Sequence, residues 1–203
     1  MLLVVGLSML AAPLVARLGS MIGAHFERRQ VQRETLDTDE FGEMRGHVII
    51  AGYGRVGQMV GQLLAEQGVP HLAIESDAKL VARQRKDGVP VIYGDASRPE
   101  LLRRLRLDRA QAVVLTMDHV AAAIHAVKGV RQTMPHIRII ARARDEKHAL
   151  ALREAGASSV VPETLESSLK LAGSVLETLG VPSDAAARLL EQERERRIIA
   201  FRE

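Results

Sequence analysis

Three glycines at a fixed spacing form the clearest chemical pattern of the chain. Gly52, Gly54 and Gly57 belong to the run GYGRVG at residues 52–57. This GxGxxG spacing is typical of a turn that holds a diphosphate, because the first glycine permits the tight turn and the second lets the backbone approach the phosphates. The third lets a helix pack closely on a strand. The pattern alone is weak, so its context must decide between a phosphate site and a structural turn that binds nothing.

The segments on either side supply that context. Residues 46–53, GHVIIAGY, are a short apolar run rich in β-branched residues, which predicts a buried strand. Residues 55–68 have apolar side chains at helical spacing and end at a glycine, which predicts a helix. The N-terminus of that helix would direct free N–H groups and a positive dipole at the phosphates. We therefore expect a nucleotide to be contacted by Gly52, Tyr53, Gly54, Arg55, Val56 and Gly57, with Tyr53 able to stack on it.

An acidic residue follows the second predicted strand at the distance that a ribose requires. Glu75 lies eighteen residues after Gly57, at the end of the run PHLAIES at 70–76. A carboxylate there accepts hydrogen bonds from a ribose diol and repels a 2′-phosphate, which favours NAD(H) or AMP over NADP. The alternative is that Glu75 caps the next helix, a role for which Asp77 is the better candidate.

Further candidates follow the ends of the other predicted strands. The runs VPVIYGD at 89–95 and QAVVLTM at 111–117 predict the third and fourth strands. Because ligands of doubly wound sheets bind outside the carboxyl ends of the strands, we expect the residues there to line the site. An ordinary turn is the alternative for Asp95. These further candidates are Ser76, Asp95, Ala96, Thr116, Met117 and Asp118.

Three arginines are candidates for anionic ligands or for an interface. Arg55 lies inside the glycine run and could reach a phosphate, a partner subunit or only solvent. Arg142 and Arg144 alternate with alanine at the end of the fifth predicted strand, IRIIARAR. A period of two places both on one face or edge of the sheet. Arginines are poor core residues, so this pair is predicted to contact an anionic ligand or an interface.

These candidates require a sheet that brings the strand ends together. From residue 46 to residue 162, six strand-like runs alternate with helical ones. Such alternation predicts an α/β domain with a Rossmann-like, doubly wound parallel sheet of six strands in the order 3-2-1-4-5-6. We expect Asp77, Asp118 and Asp145 to cap helices, and Ser97 with Glu100 to form a capping box. Residues 163–203 have the pattern of further helices.

The N-terminal part has a different character. Residues 1–16 carry no charge, and the apolar run continues to residue 26 apart from Arg17. We expect residues 1–26 to form a transmembrane helix with Arg17 near an interface or in a helix–helix contact, a buried core helix being the alternative. The positive charge that follows places that end in the cytoplasm. Residues 27–45 have the mixed charge of a linker. The positive residues that follow the apolar run are His25, Arg28, Arg29 and Arg33.

Composition excludes several functions. The absence of cysteine excludes disulfides, zinc ribbons and a thiol nucleophile. Aromatic residues make up 2% of the chain, and a net charge of +3 comes from 28 basic against 25 acidic residues, so nucleic acid is not an expected partner. No metal-ligand or catalytic motif is present, and the 41 residues after residue 162 have the pattern of helices, so we expect no second domain that holds a substrate. We therefore expect nucleotide binding without catalysis, no metal site, and a small NAD-dependent oxidoreductase only as an alternative.

The motifs together resemble a known architecture. LSMLAAPL resembles the end of the last membrane helix of Kef-type potassium/proton antiporters, in the monovalent cation:proton antiporter-2 family. HVIIAGYGRVGQ, VIYGDAS, IIARAR and AGASSVVPE resemble that family's regulatory domain, called RCK, KTN or TrkA-N. The chain thus resembles a C-terminal region: a membrane helix (1–26), a linker (27–45), an RCK domain (46–162), and crossover and C-terminal helices (163–203). The ion-translocating helices are missing, so we expect a fragment, a truncated product or a separate subunit.

The resemblance implies a function and partners. It implies an RCK homodimer with a crossover helix at 163–180, which binds NAD(H) or AMP and gates potassium/proton antiport by a missing membrane domain. It implies nucleotide contacts at Gly52, Gly54, Gly57, Glu75 and Asp95. The expected location is the inner (cytoplasmic) membrane, with the RCK domain in the cytoplasm. In Kef proper, glutathione binds near the dimer interface, for which Arg142 and Arg144 are the candidates, but relatives without that control leave this assignment open. An RCK subunit of a potassium channel or Trk-type uptake system is the other alternative.

Overall fold

The computed structural model describes residues 44–200. The predicted transmembrane helix at 1–26 and nearly all of the linker at 27–45 lie outside the described residues. Within the described part of the chain, none of the helices combines the length and the apolar character needed to span a bilayer.

Six parallel strands form a single sheet in the order β3-β2-β1-β4-β5-β6. The strands are β1 (Val48–Ala51), β2 (His71–Glu75), β3 (Val91–Tyr93), β4 (Ala112–Leu115), β5 (Arg138–Ala143) and β6 (Ser159–Pro162). The helices are α1 (Arg55–Glu66), α2 (Ala78–Lys86), α3 (Pro99–Arg104), α4 (Val120–Thr133), α5 (Glu146–Glu154), α6 (Glu163–Thr178) and α7 (Ser183–Ala200), with a 3₁₀ turn at Leu107–Arg109. The predicted fold class and strand order are confirmed.

The two faces of the sheet carry separate apolar cores. Alternate residues of β1 point to opposite faces, so Ile49 and Ala51 belong to one core and Val48 and Ile50 to the other. The first core contains buried residues of α3, α4 and α5. The second core contains residues of α1 and α2, which cover the face over β1, β2 and β3. This is the doubly wound arrangement, and it places the start of α1 at the carboxyl end of β1.

Half of the second face is open in the described chain. Ile140 of β5 is 37% exposed and Val161 of β6 is 46% exposed, whereas Ile139 and Ala141 on the opposite face of β5 are buried. Parallel sheets normally have both faces covered, because their strands are apolar on both sides. The open face over β5 and β6, defined by Ile140 and Val161, therefore needs a cover.

Two of the predicted helix caps are confirmed. The carboxylate of Asp77 accepts hydrogen bonds from the N–H groups of Lys79 and Leu80 at the start of α2. The carboxylate of Asp145 accepts one from His148 N–H at the start of α5. Both side chains satisfy backbone donors that the first turn of a helix leaves without partners.

The other two cap predictions were wrong. Arg98 rather than Ser97 precedes α3, because Pro99 with its fixed φ takes the first helical position. Ser97 instead donates its hydroxyl to Asp95 over 2.6 Å. His119 rather than Asp118 caps α4, and its ring nitrogen accepts from the Ala122 N–H over 3.3 Å.

Candidate functional site

A cleft of about 310 Å³ opens at the carboxyl ends of the central strands. It lies where the strand order reverses between β1 and β4, which is the usual ligand site of doubly wound sheets. Its volume is at the lower end of the range of small-molecule sites. The lining residues are Gly52, Gly54, Ile74, Glu75, Ser76, Gly94, Asp95, Ala96, Thr116, Met117, Asp118, His119 and Ala122.

The three glycines of the loop have different structural roles. Gly52 has a φ of +95°, and a Cβ there would lie 2.9 Å from the Met117 nitrogen. A Cβ on Gly57 would lie 2.2 Å from the carbonyl oxygen of Gly52, so this glycine brings α1 close to the turn after β1. A Cβ on Gly54 would meet no atom within 4 Å. Only Gly54 therefore opens into free space beside the cleft, where a ligand could approach the backbone.

Backbone amides hold the carboxylate of Glu75 at the rim of the cleft. One oxygen, Oε2, accepts a hydrogen bond of 2.7 Å from the N–H of Tyr53 in the glycine loop. The other, Oε1, accepts from the N–H groups of Ser76 and Asp77 over 2.6 and 2.9 Å. A carboxylate has about four acceptor positions, so Oε2 keeps capacity for a ligand hydroxyl. Glu75 therefore links the glycine loop to the end of β2 and fixes its carboxylate at the cleft.

Thr116 joins the glycine loop to the end of β4. Its hydroxyl donates to the Gly52 carbonyl over 2.6 Å, and its N–H donates to the Ala51 carbonyl over 2.9 Å. On the other side of the cleft, Asp95 accepts hydrogen bonds from the N–H and hydroxyl of Ser97. Burial raises the pKa of Asp95, but the Ser97 hydrogen bonds outweigh it and hold the pKa below its ordinary value. The side chain is therefore both a turn residue and an ionised group that lines the cleft.

Arg142 connects the cleft to the start of α6. Its guanidinium donates to the Thr116 carbonyl over 3.0 Å and pairs with Asp118 over 2.7 Å and with Glu163 over 2.6 Å. Burial lowers the pKa of Arg142, but its hydrogen bonds to Glu163 and Asp118 more than offset this and hold the pKa above its ordinary value. Arg144 lies past the end of β5, is largely exposed and faces Asp145 at 3.6 Å. The two arginines thus differ, and only Arg142 touches residues that line the cleft.

Of the twelve residues predicted to contact a nucleotide, eight line this cleft. Met117, which was expected at the same place after the fourth strand, lines it as well. Three others lie around the loop but not in the lining: Arg55 is exposed, Val56 is half-buried, and Gly57 is buried against the turn. The stacking role expected of Tyr53 was wrong. Its side chain is 3% exposed and packs in the second core, with its hydroxyl against Gly61 of α1. Its backbone N–H, bonded to Glu75, remains part of the loop.

Four lining residues were not predicted from the sequence: Ile74, Gly94, His119 and Ala122. Ile74 precedes Glu75 on β2, and Gly94 precedes Asp95 after β3. Both would have been found if the residue before each predicted acidic residue had been counted as a candidate. His119 was missed because the predicted cap of α4 lies one residue too early. Ala122 was missed together with His119, because its N–H donates to the His119 ring.

Comparison with known proteins agrees with this geometry. The family model of the TrkA-N domain matches residues 48–163, which is more than half of the 203 residues. The chain belongs to the TrkA-N domain family. The match runs from the start of β1 to the first residue of α6, so it contains the whole sheet and every residue that lines the cleft.

Relatives of this TrkA-N domain include potassium efflux proteins. The K(+) efflux antiporter 2, chloroplastic, of Arabidopsis thaliana is 37% identical over 196 residues, which is 97% of this chain and 17% of that protein. The glutathione-regulated potassium-efflux system protein KefC of Cronobacter sakazakii is 36% identical over 181 residues, which is 89% of this chain and 28% of that protein. The chain thus spans less than a third of the length of these relatives.

A solved structure shares the fold. The C-terminal domain of Kef from Shewanella denitrificans, in its AMP-bound form, aligns with a TM-score of 0.66 and 32% identity. The alignment covers 76% of this chain and 94% of that one. The resemblance of the TrkA-N domain to the C-terminal region of Kef-type antiporters is therefore confirmed.

Proposed function

We propose that this chain is the regulatory module of a potassium/proton antiporter and that its cleft binds an adenine nucleotide, AMP or NAD(H). The observation that carries the proposal is the cleft at the switch point of the sheet, where an open glycine, Gly54, lies beside the start of α1. That helix start offers free N–H groups and a positive dipole to phosphates. The AMP-bound form of the related Kef C-terminal domain supports the ligand class.

The positions of the polar groups suggest how a nucleotide would be oriented. The phosphates would lie against Gly54 and the first turn of α1, because no Cβ blocks the backbone there. The ribose hydroxyls would donate to Oε2 of Glu75, and the adenine end would extend toward Asp95 and Ala96. The carboxylate of Glu75 would repel a 2′-phosphate, so NADP would be disfavoured.

The proposed role is binding without catalysis. The carboxylates along the cleft are engaged: Glu75 by three backbone N–H groups, Asp95 by Ser97, and Asp118 by Arg142. A general acid or base needs a carboxylate that is free to exchange a proton with the substrate, whereas these three are held as acceptors in hydrogen bonds or an ion pair. The occupied site would therefore act by stabilising one arrangement of the module.

Replacing Glu75 tests the proposed nucleotide site. We expect Glu75→Gln to lower the affinity for NAD at least about tenfold, because a hydrogen bond to a charged group contributes about 1.5–3 kcal/mol. The affinity for NADP should fall much less, since the repulsion of its 2′-phosphate is removed as well. Calorimetric titration of the full chain with AMP, NAD and NADP measures both effects. Glu66→Gln at the end of α1, where the carboxylate pairs only with Gln62 among its hydrogen bonds in the described chain, is the control.

The NAD-to-NADP ratio separates recognition from folding. A variant that merely loosens the loop would weaken both ligands equally. An unchanged ratio in Glu75→Gln would count against the ribose contact, and the absence of any nucleotide binding by the unmodified chain would refute the proposed function.

We also propose that a second copy of the chain covers the open face over β5 and β6. After β6, α6 and the residue that caps its C-terminus carry three exposed apolar side chains at intervals of four residues, so they form one stripe. An exposed apolar stripe next to an uncovered parallel sheet is typical of an interface. The stripe consists of Leu171, Val175 and Leu179.

An acidic substitution on the open face tests this dimer. We expect the unmodified chain to sediment at twice its mass of 22.2 kDa in density-matched detergent and Val161→Asp to sediment as a monomer. Burying the added carboxylate between apolar surfaces costs several kcal/mol of desolvation, which is enough to dissociate a typical dimer. Leu63→Asp, at an equally exposed apolar position on α1, should remain dimeric. A dimeric Val161→Asp variant would place the interface elsewhere.

The remaining parts of the proposal concern the whole transporter. The module would attach through its N-terminal segment to a membrane domain that exchanges potassium for protons, with the nucleotide-binding domain in the cytoplasm at the inner membrane. The relation to potassium efflux proteins supports this. Glutathione control, named for the KefC relative, would involve Arg144, whose guanidinium is largely exposed, more readily than Arg142, whose guanidinium is already bonded to three groups.

A further inference from the structure

Arg142 occupies a position between two parts of the molecule that have separate proposed roles. It lies on β5, between β4 on one side and β6 on the other, and it pairs in register with Val161 of β6. The residue that follows β4 is Thr116, and the residue that follows β6 is Glu163. A side chain at this point can therefore reach the wall of the cleft and the first residue of α6 at once.

Its contacts use this position fully. Nη1 donates to the Thr116 carbonyl over 3.0 Å, Nη2 contacts both Asp118 and Glu163 within 2.7 Å, and Nε donates to Glu163 over 2.9 Å. A guanidinium is planar and rigid, so movement of one partner displaces the whole fork and disturbs the bonds to the others. Lysine, with a single ammonium on a flexible stem, could not bind three groups in this way.

The centre of this network is less exposed than its end at the cleft. Arg142 is 20% exposed, whereas Asp118 is 85% exposed and lies on the rim of the cleft. A ligand in the cleft would contact the segment at 116–119, which supplies two of the three groups that Arg142 binds. Ordering that segment would therefore restrict Arg142 and, through it, Glu163.

We propose that Arg142 is a positioning residue that transmits occupancy of the cleft to α6 through the path Thr116/Asp118–Arg142–Glu163. This inference rests on the proposed nucleotide binding and adds a physical route to it. The Thr116 hydroxyl extends the path to the carbonyl of Gly52, so the glycine loop, the end of β4 and the start of α6 are joined by hydrogen bonds. The receiving element, α6, bears Leu171 and Val175 of the apolar stripe, which ends at Leu179 just after the helix.

A matched pair of acidic residues on α6 makes the route testable. Glu163 and Glu166 both lie in its first turn, and both pair with an arginine. Glu163 pairs with Arg142, which touches the cleft, whereas Glu166 pairs with Arg194 of α7, which is not among the lining residues. Glu163→Gln and Glu166→Gln thus remove the same charge from the same helix turn, but only the first interrupts the path.

Hydrogen exchange measured by mass spectrometry on the full chain, with and without saturating AMP, provides the readout. We expect AMP to slow exchange in α6 about fivefold in the unmodified chain and in Glu166→Gln. A fivefold effect is a typical size for the coupling between two sites. In Glu163→Gln the slowing should be lost. The AMP affinity of this variant, measured by calorimetry, should differ from that of the unmodified chain by no more than about fivefold, as reciprocity requires. Arg142→Lys should lose most of the slowing as well.

The possible results are distinct. Equal slowing in Glu163→Gln and in the unmodified chain would overturn the route, and so would equal loss in both glutamate variants, because α6 would then respond to any change in its first turn. Tight AMP binding with no change in α6 in the unmodified chain would overturn the coupling but leave the nucleotide site intact. If calorimetry shows no binding of AMP or NAD to the unmodified chain, the proposed function fails together with the route.

Discussion

Gly54→Ala should weaken nucleotide binding at least tenfold while leaving the domain folded. The added methyl group meets no protein atom within 4 Å, and Gly54 has a φ of −69°, which alanine adopts without strain. Alanine is a poorer residue at a helix N-cap, but it also restricts the unfolded chain, so the free energy of unfolding should change by less than about 1 kcal/mol. The methyl group would occupy the space through which phosphates approach the backbone, so AMP and NAD affinity should fall at least tenfold, or about 1.4 kcal/mol.

Gly68→Ala provides the opposite result as a control. Its Cβ also meets no atom within 4 Å, but Gly68 has a φ of +65° and lies after α1, outside the cleft. An L-residue in the left-handed region costs about 1–2 kcal/mol, so this variant should lose stability and keep its nucleotide affinity. Calorimetric titration measures the nucleotide affinity of each variant, and urea unfolding measures its free energy of unfolding. If Gly54→Ala binds AMP as tightly as the unmodified chain, phosphates do not approach this loop.

The sequence was sufficient to predict which elements form and which of their ends meet. Glycine spacing, alternating apolar runs and Glu75 after β2 are local signals, and the sheet order is that of the doubly wound arrangement which such alternation predicts. The same signals located most of the cleft, because parallel strands bring their carboxyl ends to one edge. Side-chain directions after a strand ends were harder to predict. Tyr53 points into the second core because the φ of +95° at Gly52 turns the chain, and no pattern of residue types encodes that direction.

Contacts between distant segments were also beyond the sequence pattern. The Arg142 network joins residues at 116–118, 142 and 163, which become neighbours only when β4, β5 and β6 align in register. The pattern placed Arg142 and Arg144 together as equivalent candidates. The structure separates them, because β5 ends at Ala143 and Arg144 therefore lies beyond the strand, where the sheet no longer holds it beside Thr116 and Glu163. The prediction that Asp118 caps a helix failed for the same reason, since its partner Arg142 is distant in sequence.

Gly57→Ala should destabilise the domain far more than Gly54→Ala. Its Cβ would lie 2.2 Å from the carbonyl oxygen of Gly52 and 3.0 Å from the Thr116 hydroxyl. The first contact is with backbone, which cannot rotate away, so α1 must move from the turn after β1. Overpacking of this kind costs about 1–3 kcal/mol, and disturbing the Thr116–Gly52 hydrogen bond adds about 1 kcal/mol. The sum of about 2–4 kcal/mol is a large part of the stability of a typical domain.

Urea unfolding of the full chain, followed by circular dichroism, measures this loss against Gly54→Ala, which adds the same methyl group three residues earlier. The two variants should differ in stability by at least about 1 kcal/mol, because one methyl group enters a packed contact and the other enters open space. Nucleotide binding should be weak in both, in Gly57→Ala because the loop is displaced and in Gly54→Ala because the approach is blocked. If Gly57→Ala is as stable as Gly54→Ala, α1 does not approach β1 as closely as the structure indicates, and the start of α1 is then not positioned to receive a phosphate.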